Sequence, residues 1–539
     1  MNSVTLLIIG AIILFIGYVT YGAYLVKKWG IDDKNKTPAH TKKDGVDYMP
    51  AKTPVLLGHH FASIAGAGPI VGPIQAAIFG WIPVTLWILI GGIFFGGVQD
   101  FGSLFASVRH GGKSIGEIIE VNIGNKGKKL FAVFAWLTLL LVIAAFTNIV
   151  AGTFASTPEA ASSSLLFILL AIVFGFAVYR RGVSLGIGSV IGVILLFLCM
   201  YLGMLFPLKL SKEVWIVILL LYIFIASVTP VWILLQPRDY LNSFLLYAMI
   251  IGAVLGVIIT KPSIKMAGYT GFNIDGNYLF PILFVTVACG AISGFHSLVG
   301  SGTSSKQLDK ESDAKKIGYG GMLIESLLAI IAIITATYLG ADKLKELLAQ
   351  GGPINVFADG IANFMASFGV PFTAGKSFTA LSISAFALTS LDTSTRLARF
   401  IFQEYFESKS GEKTILTNRY ISTGITVILG GILAFMGYKT VWPIFGSANQ
   451  LLAALALLAI AAWLSNTGKN NKMLLFPMVF MFAVTLTALV LLIKSNIANH
   501  NYILVMFAVF LFILAVVLLA QSYNVLFGKK VNKANGPNS

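Results

Sequence analysis

Uninterrupted apolar stretches of about 18 to 25 residues recur along the chain from Thr5 to Ser522, each long enough to cross a hydrocarbon core of about 30 Å. Lipid offers no partner to an unpaired backbone group, and a helix satisfies its own, so such a chain folds as an all-α polytopic membrane protein. Of the 539 residues, 57% are apolar and 11% charged, against about 25% charged in soluble domains. An ordinary cytosolic protein is excluded.

The stretches predict fifteen helices, near 4–26, 54–79, 81–106, 130–152, 164–180, 186–207, 214–235, 241–260, 280–303, 317–340, 376–400, 420–437, 441–463, 473–493 and 501–522. The first, with an uncharged start and no small-residue cleavage site, reads as a retained anchor stopped by Lys27 and Lys28 rather than a signal peptide. Cys199 and Cys289 fall inside apolar stretches, which implies packing roles and no disulfide framework. With the N-terminus outside and the C-terminus inside, 29 of the 38 Lys and Arg face the cytoplasm and 9 face outward. That is the bias that orients membrane proteins. The cytoplasmic cations sit in 27–53, 107–129, 304–316 and a tail with Lys529, Lys530 and Lys533. A net charge of +16 spread over short loops suits lipid headgroups rather than nucleic acid.

Ser63-Ile-Ala-Gly-Ala-Gly-Pro-Ile-Val-Gly72 and Ala291-Ile-Ser-Gly-Phe-His-Ser-Leu-Val-Gly300 match at an offset of 228. The expected spans run in opposite directions, so the repeat is inverted. The chain divides into an anchor helix and basic linker (1–53), a first repeat plus extra helices (54–260), a second repeat plus extra helices (280–522) and a basic cytoplasmic tail (523–539). Both copies are poor helix at membrane depth: Gly66, Gly68, Pro69, Gly72 and Pro73 in one, Gly290, Gly294, Gly300 and Gly302 in the other. Irregular chain at that depth must be buried or line a wet cavity, and paired interruptions in two halves point to a transporter's central site. Close helix packing through small residues is the alternative.

Of 22 acidic residues, only Asp100, Glu325 and Asp392 fall within the expected spans. Each costs about 2.5–3.5 kcal/mol at a bilayer centre, which makes them functional candidates. The competing reading is a buried ion pair of Asp100 or Asp392 with Arg109, Arg396 or Arg399; Glu325 has no local cation. On one helix, Thr389, Asp392 and Thr393 share a face and Ser390 and Ser394 an adjacent one, an oxygen set suited to Na⁺ or to a proton path. His59 and His60 precede the first interruption, and His296 lies within the second. Adjacent helical histidines point about 100° apart, which disfavours a shared metal at 59 and 60.

Gly58-His-His-Phe-Ala-Ser-Ile-Ala-Gly-Ala-Gly-Pro-Ile-Val-Gly-Pro73, with Trp87-Ile-Leu-Ile-Gly91, Val98-Gln-Asp-Phe101, Ser114-Ile-Gly-Glu117, Ser293-Gly-Phe-His-Ser297, Gly302-Thr-Ser304, Ser390-Leu-Asp-Thr-Ser-Thr-Arg396 and Trp442-Pro-Ile-Phe-Gly-Ser-Ala-Asn-Gln450, closely resembles the carbon starvation protein A family over roughly 50–465. The resemblance implies a bacterial inner-membrane transporter used under nutrient limitation, importing peptides or, in some members, pyruvate with protons. It also implies a fold like the leucine transporter's, with inverted repeats whose first and sixth core helices, here 54–79 and 280–303, are broken. The helix at 376–400 becomes the eighth core helix, a stretch at 114–122 lies inside, and an amphipathic stretch at 354–368 lies outside near a gate. Two extra helices over 214–260 depart from the five-plus-five pattern.

The expected mechanism is secondary import. Half-helix N-termini receive a substrate carboxylate at Gly66, Ala67, Gly68, Pro69, Gly294, Phe295, His296 and Ser297. His59, His60, Asp100, Glu325, Thr389, Ser390 and Asp392 are the coupling candidates, with protons preferred and sodium at Thr389 and Ser390 the runner-up. No GxxxxGK[ST] run occurs, which disfavours an ATP-driven pump. No cofactor or metal is expected. A membrane-embedded enzyme, a channel and a nutrient sensor are the rival classes.

Overall fold

The computed structural model describes residues 2–44, 47–230, 233–407 and 414–527. Most of the expected basic tail, with Lys529, Lys530 and Lys533, lies outside the described residues. The helices run α1 (Ser3–Trp29), α2 (Thr53–Ile64), α3 (Gly68–Phe79), α4 (Trp81–Arg109), α5 (Ile115–Asn122), α6 (Asn125–Ser156), α7 (Pro158–Tyr179), α8 (Leu185–Leu205), α9 (Lys212–Val228), α10 (Leu235–Thr260), α11 (Leu279–Thr286), α12 (Gly294–Gly302), α13 (Lys315–Thr337), α14 (Ala341–Ala366), α15 (Phe372–Phe406), α16 (Arg419–Phe435), α17 (Tyr438–Asn466), α18 (Lys472–Ala498) and α19 (Tyr502–Phe527). A short antiparallel hairpin, Asn273–Ile274 with Asn277–Tyr278, precedes α11.

Among the described residues, ten helices are long and apolar enough to cross a membrane, or eleven if α2 and α3 form one bent span. The other four segments of the expected fifteen fall short of that measure. Helices α9 and α16 have 17 residues each, α11 and α12 are separated by a break, and α15 carries many hydroxyl and charged groups.

Both interruptions expected from glycine and proline are breaks. The axis turns by 44° between α2 and α3. Pro69 falls in the first turn of α3, where a missing N–H removes no helical bond. The second break is longer, from Val287 to Ser293. The first helical residues after the two breaks, Gly68 and Gly294, are therefore 226 apart, two fewer than the offset of the matching motifs. Cys289 lies in this break rather than packed on a continuous helix, and a Cβ on Gly68 would come 2.4 Å from its Sγ. A Cβ on Gly72 would come 2.4 Å from the Thr286 carbonyl oxygen, so α3 and α11 cross in backbone contact. Small residues permit that approach.

The helix after each broken span contains a π-helical stretch, Gly92–Gly96 in α4 and Lys315–Gly320 in α13. Such stretches misalign part of the backbone ladder, and the Tyr319 hydroxyl donates to the Ile93 carbonyl at 3.1 Å.

Loop contacts sort into two faces. On one, Arg109 donates to the Gly30 carbonyl at 3.0 Å, Ser312 donates to Asp33 at 2.8 Å, Ser114 to Glu404 at 3.1 Å and Asn466 to Asn122 at 3.0 Å. On the other, the Ser3 amide donates to the Pro262 carbonyl at 3.1 Å, Ile82 to Gly268 at 2.9 Å and Lys265 to Thr337 at 2.9 Å. Every one of these bonds joins segments that the alternating spans place on the same side.

Candidate functional site

Asp100 on α4, His296 on α12 and Glu325 on α13 converge in the protein interior, none more than 1% exposed. His296 Nδ1 lies 2.8 Å from Asp100 Oδ2, and its Nε2 lies 3.4 Å from Glu325 Oε2. The second separation is an ionic contact too long for a well-made hydrogen bond. Neither His296 Nε2 nor either Glu325 oxygen has a hydrogen-bond partner among the described residues. The two acids are 225 residues apart, close to the 226 that separates Gly68 from Gly294. Each sits on the helix following a broken span and just beyond its π-helical stretch, so nearby positions in the two halves supply the carboxylates that flank one imidazole. His296 is placed by the second break, where the Phe295 amide at the start of α12 donates to Asn449 Oδ1 at 2.9 Å and Gln99 Nε2 donates to the Ser293 carbonyl at 2.6 Å.

Cys289 Sγ, a ring nitrogen of His296 and a Glu325 oxygen lie within 4.8 Å of one another. Three donors are one short of a closed tetrahedral set. The same imidazole and carboxylates can share a proton without a further ligand.

A second buried cluster joins α2, α9, α10 and α15. The Arg238 guanidinium contacts Asp392, donates to Asp239 Oδ1 at 2.8 Å and reaches Thr389 Oγ1 at 3.2 Å. Tyr222 donates to Asp392 Oδ2 at 2.8 Å, Thr389 to Asp239 Oδ1 at 3.0 Å, and His59 Nδ1 lies 2.9 Å from Asp239 Oδ2. The partner of Asp392 is thus Arg238, not Arg396 or Arg399. Those two hold the end of α9, where Arg396 donates to the Ala226 carbonyl at 2.9 Å and Arg399 to Ser227 at 2.7 Å, satisfying carbonyls that a helix C-terminus leaves unpaired. Arg109 pairs with Glu311 at 3.0 Å and not with Asp100.

Arg238 and Asp239 are the residues that sequence reasoning missed. Gln236-Pro237-Arg238-Asp239 follows an apolar stretch and reads as a cytoplasmic loop before a helix at 241–260, yet α10 begins at Leu235 and both charges are buried in its first turns. Proline is tolerated there because first-turn N–H groups have no helical acceptor. The signal that could have exposed them is the pairing of opposite charges beside an apolar run.

The remaining expected residues divide by direction. His59 faces α10, while His60 Nδ1 lies 2.7 Å from Ser304 Oγ at the far end of α12, as the angular spacing of adjacent helical residues requires. Ser390 faces the first break, donating to the Ser63 carbonyl at 2.8 Å, and a Cβ on Gly66 would lie 2.8 Å from its Oγ. Gly66, Ala67, Gly68 and Pro69 are buried at that break, and Gly294, Phe295 and Ser297 at the second; Ser297 donates to the Gly294 carbonyl at 2.6 Å. A cleft of about 420 Å³ ends on Val71, Asn148 and Ala380 and is bordered by the kink of α14 at Gly352 and Pro353. A smaller one of about 20 Å³ on the opposite face reaches His59 and Thr393. The breaks lie between these two clefts.

The family profile described as Carbon starvation protein CstA matches residues 2–349 and 340–488. The chain belongs to this family. It is 34% identical to the peptide transporter CstA of Campylobacter jejuni over 90% of this chain and 79% of that one. It is also 34% identical to the pyruvate/proton symporter BtsT of Escherichia coli, over 82% and 74%. Its fold is shared with the Eremococcus coleocola manganese transporter, solved in complex with an aromatic bis-isothiourea substituted compound, at a TM-score of 0.53 and 13% identity over 90% of this chain and 98% of that one. The chain is a multi-pass membrane protein of leucine-transporter-like fold, with the first and sixth core helices broken at Ala65–Ala67 and Val287–Ser293.

Proposed function

We propose that this CstA-family protein is a secondary active importer of small carboxylate-bearing nutrients, pyruvate or short peptides, coupled to protons and used when carbon is scarce. The observation that carries the reading is the pair of apposed breaks between two clefts on opposite faces. Interrupted spans of this kind expose half-helix N-termini that favour an anionic group, and Gly68 and Gly294 begin those half-helices. The carboxylate binds there, with Phe295 and Ser297 beside it, and one bundle rocks against the other to change its access. Relatives named as a peptide transporter and a pyruvate/proton symporter support both substrate classes and the coupling ion.

The proton is held at Asp100, His296 and Glu325. One proton on an imidazole flanked by two carboxylates reduces an otherwise uncompensated buried charge, and its loss favours a different packing of α4, α12 and α13. No chemistry on the substrate is part of this reading. The location is the bacterial cytoplasmic membrane, N-terminus outside, which the 29-to-9 distribution of cations supports.

Purified protein in proteoliposomes tests the proposal. An inward proton gradient should drive accumulation of labelled pyruvate or a dipeptide, an uncoupler should abolish it, and counterflow should return the label chemically unchanged. Product formation without counterflow would establish an enzyme instead.

A further inference from the structure

We infer that Arg238 is a built-in cation occupying the oxygen cluster of α15 in place of a coupling ion, so that transport by this protein runs without sodium. The inference rests on the transporter reading and names its ion specificity. The residues that suit Na⁺ by chemistry are Thr389, Ser390 and Asp392, and the structure shows how their oxygens are engaged.

Thr389 Oγ1 accepts from Arg238 at 3.2 Å and donates to Asp239 at 3.0 Å. Asp392 accepts from both Arg238 and Tyr222. Ser390 is committed to the Ser63 carbonyl, and Thr393 Oγ1 lies 3.4 Å from Ser63 Oγ. A guanidinium is a donor at every nitrogen and an acceptor at none, so it consumes the lone pairs a metal cation would need while placing a fixed positive charge beside them. Charge points the same way. Among the buried groups of this cluster, Arg238 bridges both carboxylates and His59 Nδ1 lies beside Asp239, so each acid already has a cationic neighbour, and Asp392 Oδ1 alone among these carboxylate oxygens lacks a hydrogen-bond partner among the described residues.

Arg238 sits on α10, while the groups it engages belong to α15, to α9 through the Tyr222 hydroxyl and, through Asp239 and His59, to α2 on the near side of the first break. The cation is therefore attached to a helix of the extra pair and is not released in the transport cycle. Arg238 is a positioning residue, acting on Asp392, Thr389 and His59 rather than on substrate.

The experiment combines ²²Na⁺ binding to purified full-length protein with uptake of labelled pyruvate and a dipeptide, Na⁺ being exchanged for choline. Wild type should show no saturable ²²Na⁺ binding and equal uptake in both salts. In R238A the cluster loses its cation, and uptake in choline should fall about tenfold or more. It should recover with millimolar guanidinium or with Na⁺, and saturable ²²Na⁺ binding should appear. A purely structural arginine would give neither rescue nor binding. R238K, which keeps the charge without the fork, should remain sodium-independent. If R238A does not fold, R238A/D392N removes both charges and should restore thermal stability while binding no ²²Na⁺. Saturable ²²Na⁺ binding to wild type that D392N removes overturns the inference, as does R238A with full uptake in choline. If wild type moves neither probe in any salt, the transporter reading fails, whereas the binding measurement still decides whether Arg238 replaces sodium.

Discussion

A neutral His296 between Asp100 and Glu325 would leave two negative charges in the interior, and a protonated one leaves a single charge. Losing the second carboxylate by Glu325→Gln should therefore fix the cluster in its protonated balance. The expected result is accumulation driven by a proton gradient reduced about tenfold or more, with counterflow of labelled substrate retained, because exchange needs no net proton release. Equal loss of both activities would remove Glu325 from coupling. His296→Ala should lower uptake while insertion into the membrane is unchanged, and unaltered kinetics would take His296 out of the site. These three residues were legible because an ionisable group inside an apolar span has no inexpensive explanation. Arg238 and Asp239 were not, since they adjoin Pro237 at the edge of such a span and the groups that compensate them, Asp392 and Thr389, lie about 150 residues further on. Burial of that kind is a property of tertiary pairing, which local pattern does not carry.

Helices meet at the breaks through residues that have no side chain to spare. Gly68→Ala would drive a Cβ to 2.4 Å from Cys289 Sγ and 2.7 Å from its Cβ, an overpacking worth about 1–3 kcal/mol. Thermal unfolding of the detergent-solubilised protein should register that loss, and Cys289→Gly in the same chain should recover most of it; a strictly additive double variant would show that the two breaks do not press on each other. Glycine and proline made both breaks legible. The length of the second was hidden, because no proline marks Val287–Ser293, and so were the π-helical stretches, whose glycines read equally as packing residues. A further prediction concerns α5, whose Glu117 pairs with Lys113 at 3.2 Å and with Lys128. Burial pushes the Glu117 carboxyl up, but the Lys128 and Lys113 ammonium groups together outweigh it and hold the group below the ordinary carboxylate range. A depressed folded-state value stabilises the protein above the unfolded-state pKa, and that contribution disappears as pH falls through the lower folded-state value. Glu117→Gln should lower thermal stability at neutral pH by no more than about 1 kcal/mol. The gap from wild type should close toward acidic pH, and a gap independent of pH would assign the loss to packing.

At the scale of the whole molecule, the alternation of spans and the pairing of loops constrain each other. Bonds from Ser312 to Asp33 and from Arg109 to Gly30 require 27–44, 107–114 and 304–316 on one face, and bonds from Ser3 to Pro262 and from Lys265 to Thr337 require the other segments opposite. Geometry fixes which loops travel together, and the cation bias chooses the face that stays inside. Seven lysines lie in 27–53 alone, so the proposed orientation keeps this linker and the segments bonded to it in the cytoplasm. Exposed lysines on the two faces make the orientation measurable. Lys34→Cys, in the linker, and Lys343→Cys, at the start of α14, should differ in reactivity toward a membrane-impermeant maleimide. In intact cells Lys343→Cys should label and Lys34→Cys should not until the membrane is permeabilised, while the parent chain, with Cys289 buried and Cys199 only partly accessible, sets the background. The reverse pattern would invert the molecule, turning the 420 Å³ cleft toward the cytoplasm and placing His59, with its smaller cleft, on the outer side. The same loops would remain together, so an inverted result would exchange the faces of the two clefts without altering a single contact at the breaks, and the direction of transport would still follow the proton gradient.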